Sequence, residues 1–262
     1  MSLIHSPFRY PGGKFRARSI ILKLLPDHSS YLEPFAGGAS IFFAKEKSDS
    51  TWLNDRDEEL INTLLHIRDQ AENLIKNLEG LPALQSLHTF YKTDYVPSNN
   101  LERAMRYFYL NRTSYSGIMN PSNCYWGYGD RFSMRPENWP RAIRRASLKL
   151  QNVVLTSEDF ETIIEQAPTN SFLFIDPPYY NAQQAKFYKC SFQTDDHLRL
   201  QACLTRHADR IKFLLTYDCC EPIQELYKDF TQHTQAWNYS ITRADYKNGN
   251  RKRTEELFIS NY

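Results

Sequence analysis

The apolar residues of the chain form short runs that alternate with helical patterns. Helices are predicted at residues 39–46, 57–78, 156–167 and 197–210, and the apolar positions of 57–78 keep a rhythm of about 3.6 residues. Strands that alternate with such helices predict a mainly parallel sheet covered on both faces. The predicted strands are residues 31–33, 51–53, 153–156, 171–175 and 212–217.

Two regions depart from this alternation. Residues 235–242 and 256–260 look like strands joined by a polar stretch with an Asn248-Gly249 turn, which predicts an antiparallel ribbon at the end of the sheet. Residues 82–150 contain aromatic residues, arginines, Asn and Gly in place of a clean strand. They predict an inserted second domain, which divides the α/β domain into residues 1–81 and 151–262.

The composition is that of an ordinary soluble protein. The 262 residues are 41% hydrophobic and 24% charged, which excludes disordered and fibrous classes. The sequence contains no apolar run of about 18 residues and no signal-peptide core, so we expect a cytoplasmic protein without a membrane partner. The five cysteines and seven histidines lack metal-ligand spacing, so no metal site is predicted.

The net charge is only +2, but its distribution is uneven. Basic residues exceed acidic ones in segments 9–23, 131–149 and 243–253. If the fold places these segments on one face, they suit a polyanion such as nucleic acid. Solvated helix faces and loops are an equally weighted alternative for each segment.

The segment YLEPFAGGAS, residues 31–40, has the layout of a nucleotide-type site. Its short strand ends in Glu33, and Gly37 and Gly38 let a ligand approach the backbone. Asp55 ends the next strand, where an acid can accept hydrogen bonds from ribose hydroxyls. The segment departs from G-x-G-x-x-G, which disfavours a dinucleotide. A glycine turn with a helix cap is the structural alternative.

The segment PFRYPGGKF, residues 7–15, is not a phosphate-binding loop. That motif requires glycine where the chain has Phe8 and a hydroxyl residue where it has Phe15, so ATP binding is disfavoured. Lys14 could neutralise a ligand carboxylate, and Tyr10 offers a ring. In FIDPPYY, residues 174–180, two prolines end an apolar run directly after Asp176.

In chain order, the segments PFRYPGGK, EPFAGGAS, LND, DPPYY and EELFISNY resemble the Dam-like class of N6-adenine-specific DNA methyltransferases. The resemblance extends from Pro7 to Tyr262. It implies an α/β, Rossmann-like fold that uses S-adenosylmethionine, with a seven-stranded mixed sheet. It also implies that residues 82–150 are a mainly helical target-recognition domain containing a hairpin.

The resemblance also implies site residues. The DPPY element would hold the target adenine, with Asp176, Pro177 and Tyr179 as catalytic residues. The Asp176 carboxylate and the Pro177 carbonyl would each accept one N6 hydrogen, while Tyr179 would support the ring. The residues implied to bind S-adenosylmethionine are Tyr10, Lys14, Glu33, Phe35, Ala36, Gly37, Gly38, Asp55, Asp159, Phe160 and Asp176.

The resemblance implies double-stranded DNA as the partner. The segment NRTSYSG resembles part of the family's DNA-reading hairpin. Arg112 would anchor it, Tyr115 would wedge between bases, and Arg131 would contact phosphates. A structural arginine and a buried tyrosine are the alternative. Relatives that methylate GATC tend to have arginine where this chain has Asn120, and asparagine prefers adenine edges, so a different site is expected.

Other functions remain open from the sequence. They are N4-cytosine methylation, methylation of adenine in structured RNA, and a DNA-binding module without catalysis. A serine in place of Asp176 more often marks cytosine enzymes, and the intact DPPY element argues against lost catalysis. A companion restriction endonuclease is a further partner that the resemblance allows.

Overall fold

The computed structural model describes residues 4–182, 184–187, 189–237 and 254–262. In these ranges the strands are β1 (Ser30–Glu33), β2 (Ser50–Asn54), β3 (Val153–Thr156), β4 (Phe172–Ile175), β5 (Lys212–Asp218), β6 (Thr231–Trp237) and β7 (Thr254–Ser260). They form one seven-stranded sheet in the order β3-β2-β1-β4-β5-β7-β6. The pairs among β1 to β5 are parallel, whereas β7 is antiparallel to both β5 and β6. The predicted mixed sheet of a Rossmann-like methyltransferase fold is confirmed.

The helices cover both faces of this sheet. They are α1 (Arg18–Leu24), α2 (Ser40–Ala44), α3 (Glu58–Asp69), α4 (Ala71–Leu78), α5 (Gln85–Thr93), α6 (Asn100–Thr113), α7 (Trp139–Leu150), α8 (Phe160–Gln166), α9 (Gln184–Phe187), α10 (Thr194–His207) and α11 (Glu221–Leu226). Each of the five strands predicted for the parallel part agrees with the structure to within one residue at either end.

Several element boundaries were predicted wrongly. The helix predicted over residues 57–78 is interrupted at Gln70, whose φ of −137° leaves the helical region and separates α3 from α4. The helix predicted from residue 156 begins only at Phe160, because the Asp159 side chain caps it by accepting from the Glu161 N–H. β6 begins four residues before the predicted start at 235. Residues 238–242 and the predicted Asn248-Gly249 turn lie outside the described residues.

Strand β4 lies at the centre of the sheet and is buried along its whole length. Phe172 and Phe174 belong to the core shared with α1 to α7, while Leu173 and Ile175 belong to the core under α8, α10 and α11. This alternation follows from the two-residue period of a strand, and burial on both faces explains the unbroken apolar run.

The strand order reverses between β1 and β4. From β1 the chain continues to β2 on one side, and β4 returns on the other side. In open α/β sheets the crevice at the carboxyl ends of two such strands is the usual ligand site. Glu33, which ends β1, and Asp176, which follows β4, lie at this crevice.

The inserted segment 82–150 packs against helices that precede it in the chain. α3 packs on α6 and α7, and α4 packs on the same two helices. Leu64 of α3, Phe108 of α6 and Ile143 of α7 belong to one core that continues into the sheet. The predicted boundary at residue 82 therefore falls between α4 and α5, inside a continuous helical layer.

The N-terminal segment is fastened to α6 and the loop after it. The buried Asn111 side chain accepts from the Arg9 N–H at 2.9 Å and donates to the Arg9 carbonyl at 2.8 Å. Arg112 donates to the Pro7 carbonyl at 3.3 Å. Gly117 has φ +74°, and a Cβ there would lie 2.2 Å from the Arg9 carbonyl oxygen, so only glycine fits. The NRTSYSG segment thus fixes the chain that leads to Tyr10 and Lys14.

We expect Asn111→Ala to lower the free energy of unfolding by about 2 kcal/mol, because it leaves two backbone groups of Arg9 without their partner. Urea denaturation of the cofactor-free protein measures this change. Asn77→Ala is the matched control, because Asn77 is exposed on α4. Equal stability of the two variants would contradict the clamping role of Asn111.

Candidate active site

A cavity of about 440 Å³ opens at the carboxyl ends of β1, β2 and β4. Its volume is in the range of small-molecule sites, about 300–1,000 Å³. Most of the predicted site residues line this cavity, although they come from distant parts of the chain. They are Tyr10, Lys14, Glu33, Phe35, Ala36, Gly37, Gly38, Asp55, Asp176, Pro177 and Tyr179.

The glycine loop after β1 is shaped by the N-terminal segment. Gly37 has φ +48°, and a Cβ at this position would lie 2.8 Å from a ring carbon of Tyr10. A Cβ on Gly38 would lie 3.0 Å from the Tyr10 Cβ. The two glycines are therefore required for Tyr10 to lie over the loop, as well as for any approach of a ligand.

Asp176 is held by two donors on one oxygen. The Lys14 ammonium lies 2.6 Å from Asp176 Oδ1, and Thr216 of β5 donates to the same oxygen at 2.7 Å. Lys14 is only 3% exposed, and its Nζ also donates to the Gly12 carbonyl at 3.1 Å and lies 4.8 Å from the centre of the Tyr179 ring. The carboxylate is therefore fixed in orientation beside a buried cation.

Glu33 joins the strand to the helix that follows. Its Oε1 accepts from the Tyr31 hydroxyl at 2.6 Å and from the Phe42 N–H, in the first turn of α2, at 2.9 Å. Burial, assisted by the nearby Asp176 charge, raises the pKa of Glu33 to about 8, although its two hydrogen bonds oppose the shift. Glu33 therefore caps α2 and is mainly protonated at neutral pH.

Asp55 ties the end of β2 to the glycine loop. One oxygen accepts from the Gly37 N–H at 2.8 Å and the other from the Asp57 N–H at 2.9 Å. Burial raises the pKa of Asp55 to about 6, and the two backbone hydrogen bonds limit the increase. Each oxygen keeps a further lone pair, so the carboxylate can still accept hydrogen bonds from a ligand.

The chain after the two prolines is fastened by a residue that sequence reasoning did not identify. Asp218, at the end of β5, accepts from the N–H groups of Tyr180 and Asn181 at 3.0 and 3.1 Å. It also accepts from the Asn181 side chain at 2.8 Å. The sequence did contain a signal for this residue. Asp218 is an acid at the end of a strand, as Asp55 is an acid directly after β2. Tyr180, which had no predicted role, packs its ring 5.3 Å from His197.

Two predicted cofactor residues are not among those that line the cavity. Phe160 is buried and stacks on Phe35 with ring centres 5.5 Å apart. Asp159 caps α8 and pairs with Arg199 at 2.9 Å. Neither lines the cavity, so their roles toward the cofactor adenine stay predictions, and Phe35 is the ring of this stack that reaches the cavity.

Comparison with known proteins agrees with this geometry. Residues 10–241 match the family model of the D12 class N6 adenine-specific DNA methyltransferases. The chain belongs to this family. This adenine-specific DNA methyltransferase is 27% identical to the type II methyltransferase M1.LlaDCHI of Lactococcus lactis subsp. cremoris, over 98% of this chain and 95% of the relative.

Two further relatives support the assignment. The type II methyltransferase M.CviBI of Paramecium bursaria Chlorella virus NC1A is 26% identical, over 97% of this chain and 98% of the relative. A DNA adenine methylase of Haemophilus influenzae is also 26% identical, over 70% of this chain and 66% of the relative. The methyltransferase thus resembles these proteins along most of its length.

Other residues of the methyltransferase cavity had no motif to reveal them. Lys189 donates to the Asp57 carboxylate at 3.0 Å and lies 5.0 Å from the centre of the Tyr107 ring. Phe192 packs edge-on against Phe35 with ring centres 5.5 Å apart. Residues from four separate segments meet here, so spacing along the sequence could not indicate them. The additional lining residues include Arg56, Asp57, Tyr107, Met119, Lys189 and Phe192.

The predicted DNA-contacting residues of the methyltransferase occupy different environments. Arg112 is 5% exposed and donates to the Pro7 carbonyl, and burial lowers its pKa to about 10, so it corresponds to the structural arginine of the alternative interpretation. Tyr115 is 50% exposed, and its N–H donates to the Tyr125 carbonyl at 2.8 Å beside an isolated antiparallel bridge between Ser114 and Trp126. Arg131 is exposed, and Asn120 lines a cleft next to the cavity.

In the described ranges, no helix of the methyltransferase has the length and apolar character needed to cross a membrane. Within the same ranges, no three His, Cys, Asp or Glu side chains group as ligands for a metal ion.

We compare the free energy of unfolding of Glu33→Gln with that of wild type. From pH 5 to pH 8 we expect this difference to shift in favour of the variant by at least about 1 kcal/mol. The folded protein holds the Glu33 proton up to pH about 8, while the unfolded chain releases it near the ordinary value of 4.5. Wild type therefore loses stability as pH rises through this window, and the glutamine variant does not. Urea denaturation at both pH values measures the difference. A constant difference would contradict the raised pKa.

Proposed function

We propose that the enzyme transfers the methyl group of S-adenosylmethionine to N6 of an adenine extruded from duplex DNA. The observation that carries this proposal is the DPPY corner, which follows the central strand β4 and faces the same cavity as the glycine loop. Family membership supports adenine as the base and DNA as the polymer.

The residues of the cavity fit S-adenosylmethionine. Tyr10 covers the glycine loop, and Asp55 retains lone pairs suited to ribose hydroxyls. Phe35 offers a ring on the cavity wall for the cofactor adenine. When bound, the cofactor supplies a methyl group already activated by its sulfonium. Among the carboxyl groups that line the cavity, Asp176 and Asp55 suit that positive charge.

Asp176 and Pro177 provide the acceptors for the target amino group. The amino nitrogen of adenine is a poor nucleophile, because its lone pair is delocalised into the ring. Two acceptors on its hydrogens would localise that lone pair and stabilise the positive charge that develops. Among the residues that the structure describes, none donates a hydrogen bond to the Pro177 carbonyl, which is therefore available.

Selection of the base divides between stacking and hydrogen bonding. Extrusion of the base from the duplex costs a few kcal/mol, and stacking on Tyr179 would stabilise any extruded base by about 1–3 kcal/mol. Stacking therefore cannot choose adenine. The acceptors at Asp176 and Pro177 require an amino group, which excludes thymine and leaves shape to exclude the other amino-bearing bases.

The DNA surface would centre on the hairpin and on exposed arginines. Tyr115 is half exposed and suits a wedge between bases, while Arg131 and Arg141 are exposed and suit phosphates. Other members of the basic segment have structural partners. Arg144 pairs with Glu72 at 2.7 Å, and Lys149 donates to the Phe43 carbonyl at 3.1 Å.

We expect Asp176→Ala to lower methyl transfer at least about 100-fold while cofactor binding largely survives, because it removes one acceptor of the target amino group. The assay measures transfer of labelled methyl groups from S-adenosylmethionine to duplex DNA, followed by sequencing of the modified bases. Asp209→Asn is the control, because Asp209 is exposed and away from the cavity.

Three results of this assay would contradict the proposal. They are transfer to RNA but not to DNA, modification of cytosine in place of adenine, and full activity of Asp176→Ala.

We expect Tyr115→Ala to weaken productive DNA binding by about tenfold, because the variant loses the ring that would fill the gap left by the extruded base. The affinity for S-adenosylmethionine and the melting temperature should stay unchanged, since the side chain is half exposed. Tyr115→Phe keeps the ring and serves as control. Equal KM values for DNA in the two variants would refute the wedge.

A further inference from the structure

Glu256 is a buried acid in the EELFISNY segment that the proposed mechanism does not use. It lies on β7, pairs in register with Asp218 of β5, and is 0% exposed. Its neighbour Glu255 is exposed, because alternate residues of a strand face opposite sides. A buried carboxyl group costs free energy unless other groups stabilise it, so the groups around Glu256 matter.

The Lys14 ammonium connects Glu256 with the active site. Lys14 Nζ lies 4.0 Å from Glu256 Oε1 and 2.6 Å from Asp176 Oδ1. The lysine is 3% exposed, so both contacts form away from water, where charge interactions are strong. One buried cation therefore lies between a carboxyl group that follows β4 and another on β7.

We propose that Glu256 is a positioning residue that acts as the second anionic partner of Lys14, so that the lysine can share Asp176 with the incoming adenine amino group. This inference rests on the proposed function. It differs in that Glu256 would contact neither substrate nor cofactor and would act through Lys14.

One oxygen of Asp176 already has two hydrogen-bond donors. Asp176 Oδ1 already accepts from both Lys14 and Thr216, so an adenine N6 hydrogen either uses the other oxygen beside the ammonium or takes the place of Lys14. In the second case the ammonium leaves Asp176, and in the first case the ammonium and the amino group share the charge of one carboxylate. A buried ammonium that loses its carboxylate is strongly destabilised. Glu256, already 4.0 Å away, would stabilise the displaced ammonium.

The first test is kinetic and uses the full-length enzyme with S-adenosylmethionine and its methylatable duplex. Glu256→Gln keeps the size of the side chain and removes its charge. We expect the single-turnover rate to fall about tenfold or more through misplacement of Lys14, with KM for both substrates within about twofold of wild type. Glu255→Gln, on the exposed side of β7, is the matched control. Unchanged rates for Glu256→Gln would overturn the inference.

The second test is thermal unfolding of the cofactor-free protein and does not depend on activity. Lys14→Met leaves the buried Glu256 and the Asp176 carboxylate at the cavity without this cation, so adding Glu256→Gln should raise its melting temperature by about 3 °C. In the wild-type background the same change should lower the melting temperature, because Lys14 loses a partner. This opposite sign is not expected of a merely structural residue. Equal decreases in both backgrounds would refute the inference.

The two proposals fail in distinguishable ways. If the wild-type enzyme methylates no adenine, the proposed function is wrong whatever the variants do. If wild type is active and Glu256→Gln matches it in rate, or if the melting temperatures do not change in opposite directions, only the role of Glu256 is wrong.

Discussion

The contact between Lys14 and Asp176 is the interaction on which the site depends. It joins the N-terminal loop to the end of the central strand across 162 positions of the chain, with the two charged atoms 2.6 Å apart. A pair that is largely removed from water is stable only when its geometry is fixed and its other hydrogen bonds are satisfied. Thr216 and the Gly12 carbonyl supply those hydrogen bonds, and Asn111 fixes the segment that delivers the lysine.

Three acids at the ends of parallel strands have different uses because their surroundings differ. Glu33 is buried at the start of α2, accepts a hydrogen bond from the Phe42 N–H and has a pKa of about 8. It is therefore a structural cap. Asp55 is tied to two backbone amides and has a pKa of about 6. Asp176 is paired with a cation and faces the cavity. One strand-end pattern therefore yields a cap, a loop anchor and an acceptor.

The first residues of the segment NRTSYSG are buried, and a later residue is exposed. Asn111 and Arg112 are buried and hold backbone groups of the N-terminal segment. Tyr115 is exposed a few residues later. The hairpin that carries the exposed tyrosine is thus connected through Arg9 to the loop that carries Tyr10 and Lys14. The hydrogen bonds of Arg9 with Asn111 and Ser114 thus connect the segment of the exposed tyrosine with the cavity.

The sequence by itself determined the parallel strands and the antiparallel ribbon, because strand periodicity and turn chemistry are local properties. Its resemblance to a known family indicated the motif residues of the cavity. The sequence did not reveal the break at Gln70, since two helices in series keep the same apolar rhythm. Only the tertiary structure set Asp218 behind the DPPY corner, Glu256 beside Lys14, and Phe160 behind Phe35. Those contacts join segments far apart in the chain, and their distances depend on how the strands are ordered.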